Sequence, residues 1–110
     1  MHAPRRLALR QNARVNVDND RANDRFLVTM PEGIGELVYK RVGPLTLELV
    51  HTEVASGLRG RGVGEALAEA AIAYARAEGM SVIATCPYVQ SWLAKHPEHH
   101  DLVVSGTATD

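Results

Sequence analysis

The sequence predicts an α+β domain built on one mixed, largely antiparallel sheet, and three observations carry that prediction. Between residues 15 and 54, apolar and polar residues alternate in short runs separated by Asn, Asp, Gly and Pro, the pattern of strands joined by tight turns. From Val63 the apolar spacing lengthens to that of a helix. From Met80 the alternation returns, and a second helical stretch follows it. Four strands, a helix, a strand and a helix is the order of a sheet covered by helices.

Each element has its own warrant. Val15 and Val17 alternate with polar residues and open a first strand. Asp18 to Asp24 reads as a turn, because Asn and Asp side chains bond their own backbone. A second strand spans Arg25 to Met30, and Pro31-Glu32-Gly33 turns the chain. A third spans Glu36 to Arg41, with Leu37 and Tyr39 on one face. After Gly43-Pro44, Leu45, Leu47 and Leu49 alternate with Thr46 and Glu48 in a fourth strand that continues to Val54, with His51 on the leucine face. Short turns between these strands imply an antiparallel meander.

The helix runs from Val63 to Glu78, with Val63, Leu67, Ala70, Ala71 and Tyr74 on one side. Its many alanines favour helix and permit close packing on a sheet. Gly79 stops it. Met80 to Cys86 forms a fifth strand, and Pro87 holds Cys86 extended while suiting the first turn of a second helix. Val89, Trp92, Leu93 and His96 recur at helical spacing as core packing, and Pro97 closes that helix. Leu102 to Val104 adds a last short strand. The expected organisation is a flexible basic tail over residues 1–11, one domain over residues 12–104 and a loose tail over residues 105–110.

Composition bounds the function. The chain has 110 residues, 45% of them hydrophobic and 23% charged, enough for one core without staples. Twelve basic against thirteen acidic residues give a net charge of -1. That balance excludes a protein that holds nucleic acid or an anionic membrane by bulk charge. No apolar run reaches the ~20 residues of a membrane span. Cys86 is the single cysteine, so no internal disulfide or multi-cysteine metal site forms, and a reducing, cytoplasmic setting fits. His96, His99 and His100 surround Pro97-Glu98; the proline breaks any regular ligand spacing, so a polar loop is expected and no metal.

The most informative segment is Leu58-Arg59-Gly60-Arg61-Gly62-Val63-Gly64, between a strand and a helix. Its glycines let backbone N–H groups approach a ligand. The helix start adds unpaired N–H groups and the positive end of the dipole, and the two arginines add charge. Together they suit a phosphate. Glu65 stands where a nucleotide P-loop needs Lys, and Leu67 stands where a dinucleotide fingerprint needs Gly or Ala. Neither motif is present, and a glycine turn that binds nothing remains the plain alternative.

These residues resemble a family. Arg59-x-x-Gly62-x-Gly64 is similar to the Arg/Gln-x-x-Gly-x-Gly/Ala signature of the GNAT acetyltransferase superfamily. His51-Thr52-Glu53-Val54 before it and Cys86-Pro87-Tyr88-Val89 after it resemble the small single-domain branch of about one hundred residues, over roughly Asn12 to Val104. The N-terminal helices and most of the C-terminal half of the larger enzymes have no counterpart here. The resemblance implies a compact fold with two splayed parallel strands and two main helices, and acetyl-coenzyme A as co-substrate. The pyrophosphate would lie at Arg59, Gly60, Arg61, Gly62, Val63 and Gly64. The pantetheine arm would lie between the strands ending at Val54 and Cys86, with an N–H near Val54 polarising the acetyl carbonyl.

Transfer to an amine needs a base, a polarised thioester and an acid for the departing thiolate. Glu53, at the place of the family's base, and His51 are the candidate bases; an exposed carboxylate and a core histidine are the plain readings. Tyr88 is the candidate acid, against a tyrosine that merely packs. Cys86 is either a buried strand residue or a nucleophile near the thioester. The implied activity is an acetyl-coenzyme A-dependent N-acetyltransferase acting on an amine acceptor. The alternative is a non-catalytic acyl-coenzyme A-binding or sensing module with the same cleft. Nucleic acid and membrane are not expected partners, and a monomer or weak homodimer is expected.

Overall fold

The computed structural model describes residues 15–104, and the alternating segments form a five-stranded sheet in the order β1-β2-β3-β4-β5. The strands are β1 Asp18–Asp20, β2 Arg25–Met30, β3 Gly33–Arg41, β4 Thr46–Val54 and β5 Ser81–Ala84. The first four pair antiparallel in sequence, and β4 pairs parallel with β5. A parallel pair needs a crossover, supplied by helix α1, Val63–Ala77; helix α2, Pro87–Ala94, follows β5. The expected tails over residues 1–11 and 105–110 lie outside the described residues.

The core lies between one face of the sheet and the helices. Phe26, Val28, Leu37, Tyr39, Leu47, Leu49, Val82 and Ala84 supply the sheet side, and all are buried. Helix α1 buries Val63, Ala66, Leu67, Ala68, Ala71, Ile72 and Ala75. Fully burying a Leu, Ile or Val side chain contributes roughly 1.5–3 kcal/mol, so this face holds the helix in place. The alanines let α1 lie close to the strands. At Gly35 of β3 the helix comes close, and a Cβ there would stand 2.6 Å from Val63 Cγ1. The expected Gly79 stop is present, following α1 with φ 69°, and Gly62 precedes the helix with φ 77°.

Several boundaries differ from expectation. The first strand is Asp18–Asp20, inside the stretch read as a turn, and Val15 and Val17 pack on the core ahead of it. The polar side chains there find partners beyond their own backbone: the Tyr39 hydroxyl donates to Asn19 Oδ1 at 2.7 Å, and Arg25 Nε donates to Asp20 Oδ2 at 3.0 Å. The backbone is thereby left to pair with β2, and the turn shrinks to Arg21–Asn23 and a left-handed Asp24. Strand β5 ends at Ala84, because the N–H groups of Thr85 and Cys86 both turn to Leu49 O and Cys86 starts α2. Helix α2 ends at Ala94, since Lys95 and His96 donate to Trp92 O and Leu93 O in a tighter winding, ahead of Pro97. The last short strand is reduced to a bridge between Val103 and Val82.

The close approach at Gly35 yields a prediction. A valine χ1 is stiff, so Gly35→Ala presses its methyl against Val63 and pushes α1 off the sheet. The variant is expected to lose about 1–3 kcal/mol, the usual range for overpacking, read from the urea midpoint. An unchanged midpoint would show that α1 shifts freely.

Candidate functional site

Strand β4 changes face midway. Leu49 stands opposite Tyr39, His51 opposite Val38 and Thr52 opposite Leu37, so the pairing skips Val50. One extra residue in a strand reverses the facing of everything after it. Leu47 and Leu49 point into the core before the bulge; after it, Thr52 and Val54 point to the helix side, and His51 and Glu53 point away. His51 therefore leaves the leucine face on which the sequence places it: its side chain is 58% exposed, beside a Glu53 that is 72% exposed. Leu45 is exposed ahead of the strand. His51 Nε2 lies 3.2 Å from Glu53 Oε1.

The parallel ladder ends at Leu49–Ala84, just before the bulge. Beyond it the β5-facing edge of β4 has no ladder partner in β5, and the two strands part. A cleft of about 470 Å³ stands at this parting, and Thr52, Val54, Arg59, Gly62, Gly64 and Tyr88 are among its lining residues. Leu58 and Val63, both buried, form part of its wall, with Gly60 and the exposed Glu65.

The glycine turn is shaped for an anion. Gly60 and Gly62 hold φ of 79° and 77°, and a Cβ at either would meet nothing within 4 Å. The glycines thus serve the left-handed backbone and leave it open. No side chain caps the α1 N-terminus, so its first N–H groups have no side-chain acceptor. The two arginines divide. Arg59 lines the cleft and makes no ion pair among the described residues. Arg61 does not line it and pairs with Glu32 at 3.4 Å. Glu65 places one negative charge in the first turn of α1.

Tyr88, at the start of α2, reaches across to α1: a Cβ on Gly64 would stand 3.0 Å from its hydroxyl oxygen. The phenol is pushed above the usual tyrosine range, first by burial and then by the electrostatic influence of Glu65 and Cys86. It stays protonated through neutral pH. Cys86 is 2% exposed and lies within hydrogen-bonding distance of Thr52, Sγ to Oγ1 3.2 Å. It is not among the residues lining the cleft.

The histidine-rich loop builds a stack. The His96 and His99 rings stack on Trp92, with centroids 4.0 and 5.7 Å away. Both imidazoles approach Glu98, at 3.2 and 3.7 Å. Arg76 ties the loop to α1 through Asp101 at 3.1 Å. Among the described residues, no group of three or more His, Cys, Asp or Glu is placed to hold a metal ion. Nor, among them, is any helix long and apolar enough to cross a membrane.

Of the residues singled out from sequence, the cleft gathers Val54, Arg59, Gly60, Gly62, Val63, Gly64 and Tyr88. His51 and Glu53 meet each other on the other face, Cys86 lies buried and Arg61 turns aside. Thr52 and Glu32 were missed. Thr52 belongs to a block read for its histidine and glutamate. Glu32 sits in a distant turn, and no local signal ties it to Arg61.

Comparison with known proteins agrees with this fold. The sequence model of the GCN5-related N-acetyl-transferase family matches residues 25–102. Protein NATD1 of Mus musculus is 34% identical over 99 residues, covering 87% of this chain and 89% of its own. Protein NATD1 of Homo sapiens is 34% identical over 93 residues, covering 82% and 81%. The fold is similar to the solution structure of a GCN5-like protein from Staphylococcus aureus, with TM-score 0.64 and 25% identity, over 81% of this chain and 87% of that one.

Proposed function

The chain belongs to the GCN5-related N-acetyltransferase family, and from that premise we propose that it transfers an acetyl group from acetyl-coenzyme A to an amine acceptor. One observation carries the reading: a single cleft is lined by an open, uncapped glycine turn, by Thr52 and Val54 where the strands part, and by the protonated Tyr88, which stands over Gly64. That lining suits a molecule that carries both a phosphate group and a reactive thioester.

The residues present fit such a molecule. Arg59 and the α1 N–H groups hold the diphosphate. The free edge of β4 around Thr52 to Val54 offers backbone donors and acceptors to the amides of the pantetheine arm, and an N–H there polarises the thioester carbonyl. His51 and Glu53 stand on the opposite face of the same strand, where an amine reaches the thioester through the gap. In this reading His51 takes the proton of the incoming ammonium, directly or through water, and Glu53 orients the ring and stabilises its charge. Tyr88 gives its proton to the departing sulfur. The burial of Cys86 and its bond to Thr52 support direct transfer over a covalent acetyl-cysteine, with the thiol and hydroxyl linking β4 to α2 across the gap.

Binding is tested by titration with coenzyme A. Arg59→Ala is expected to weaken affinity by about tenfold, the loss of one charged hydrogen bond, and raised salt is expected to weaken the parent. Gly62→Val, which fills the open turn, abolishes binding. A folded Gly62→Val protein that binds as tightly as the parent places the site elsewhere.

Catalysis is tested by release of free coenzyme A in the presence of amines. Tyr88→Phe is expected to slow turnover by about 10²–10⁴-fold with little change in affinity. The Tyr88 phenol is raised, so its proton is present at neutral pH and lost only above the usual tyrosine range, which gives the pH profile a falling alkaline limb. Activity therefore falls at high pH in the parent, and Tyr88→Phe lacks that limb. Tight binding with no turnover for any amine makes the protein the binding module instead. An acetyl adduct on Cys86 that an amine consumes overturns direct transfer.

A further inference from the structure

Arg61 and Glu32 form a charged pair beside the cleft to which the proposed chemistry gives no task. Arg61 Nη1 lies 3.4 Å from Glu32 Oε2, with both side chains about half exposed. Both residues have anchored backbones. Arg61 stands between the two left-handed glycines, and its N–H donates to Leu58 O at 3.3 Å. The Glu32 carbonyl oxygen lies 3.0 Å from where a Cβ on Gly57 would stand, and a Cβ on the next residue, Gly33, would stand 2.6 Å from Ala55 Cβ. The pair thus spans two fixed turns, and only its side chains are free to exchange partners.

Coenzyme A carries two separate anions, the diphosphate and a phosphate on the ribose 3′ oxygen. The glycine turn carries two arginines in different states, Arg59 open to the cleft and Arg61 already facing a carboxylate. We propose that Arg61 binds the ribose 3′-phosphate and that Glu32 is its internal competitor, so that this pair sets the discrimination between coenzyme A and its 3′-dephospho form. The proposal rests on the cofactor reading above. An exposed pair contributes little, so a phosphate dianion, which a guanidinium grips with two parallel bonds, displaces the carboxylate. A ligand without the 3′-phosphate leaves the pair intact and gains nothing from Arg61.

The experiment is calorimetric titration of the full chain, parent and variants, with coenzyme A and with 3′-dephospho-coenzyme A at fixed salt. Glu32→Gln is expected to bind coenzyme A roughly two- to fivefold more tightly, the range of an exposed ion pair, with affinity for the dephospho form unchanged. Arg61→Gln is expected to bind both ligands equally. A Glu32→Gln protein that shifts both ligands by one factor, in either direction, makes Glu32 a brace of the glycine turn and overturns the proposal. So does an Arg61→Gln protein that keeps the parent's preference. A parent that binds neither ligand overturns the cofactor reading itself and this inference with it.

Discussion

The bulge at Val50 is the constraint on which the rest of the molecule depends. A regular β4 would carry the leucine face straight through to residue 53 and would leave His51 and Glu53 packed under α1. It would also leave Thr52 and Val54 facing away from the helices. The extra residue reverses this assignment within one strand. It also falls where the pairing with β5 stops, so the strands separate at the point where the two faces of β4 exchange roles. The cleft and the His51–Glu53 contact are two results of a single local irregularity.

The helices hold that irregularity in a fixed frame. Helix α1 begins at the left-handed Gly62 and presses Val63 against Gly35, so the glycine turn is set by close contact with the sheet. Helix α2 begins at Cys86, which is tied to Thr52, and carries Tyr88 over Gly64. Each helix therefore delivers its first turn to the same cleft. A helix start is where unpaired N–H groups and positive potential gather, and this fold brings two of them to one opening. Glu65 tempers that potential and, with burial, keeps the Tyr88 phenol protonated.

Much of this was legible in the residues. The apolar spacing from Val63, the Gly79 stop and Pro87 at the first turn of α2 gave both helices to within a few residues. The alternation around Leu37 and Tyr39 gave the core face of β3. The glycine turn was legible because left-handed backbone and an uncapped helix start leave a local mark. The Asp18–Asp20 strand was not, since the partners that free its backbone, Arg25 and Tyr39, are set by pairing with later strands. His51 was misplaced for a related reason. Val50 is an ordinary strand residue, and its skipping shows only in the register against β3. The pairing of Arg61 with Glu32 likewise depends on two turns brought together by the sheet.

The parallel seam between β4 and β5 also bears on how the chain assembles. The meander strands β1 to β4 follow one another through short turns, whereas β4 and β5 meet only after the whole of α1 has intervened. Closing the longer loop costs more chain entropy before any contact compensates it. The meander and α1 therefore have the entropic head start, and the β4–β5 seam closes late. That seam is short, with four paired positions from Thr46–Ser81 to Leu49–Ala84. The cleft is thus the margin of a short, late-closing joint, and a molecule bound across it would act as mortar for the joint the chain itself leaves unfinished.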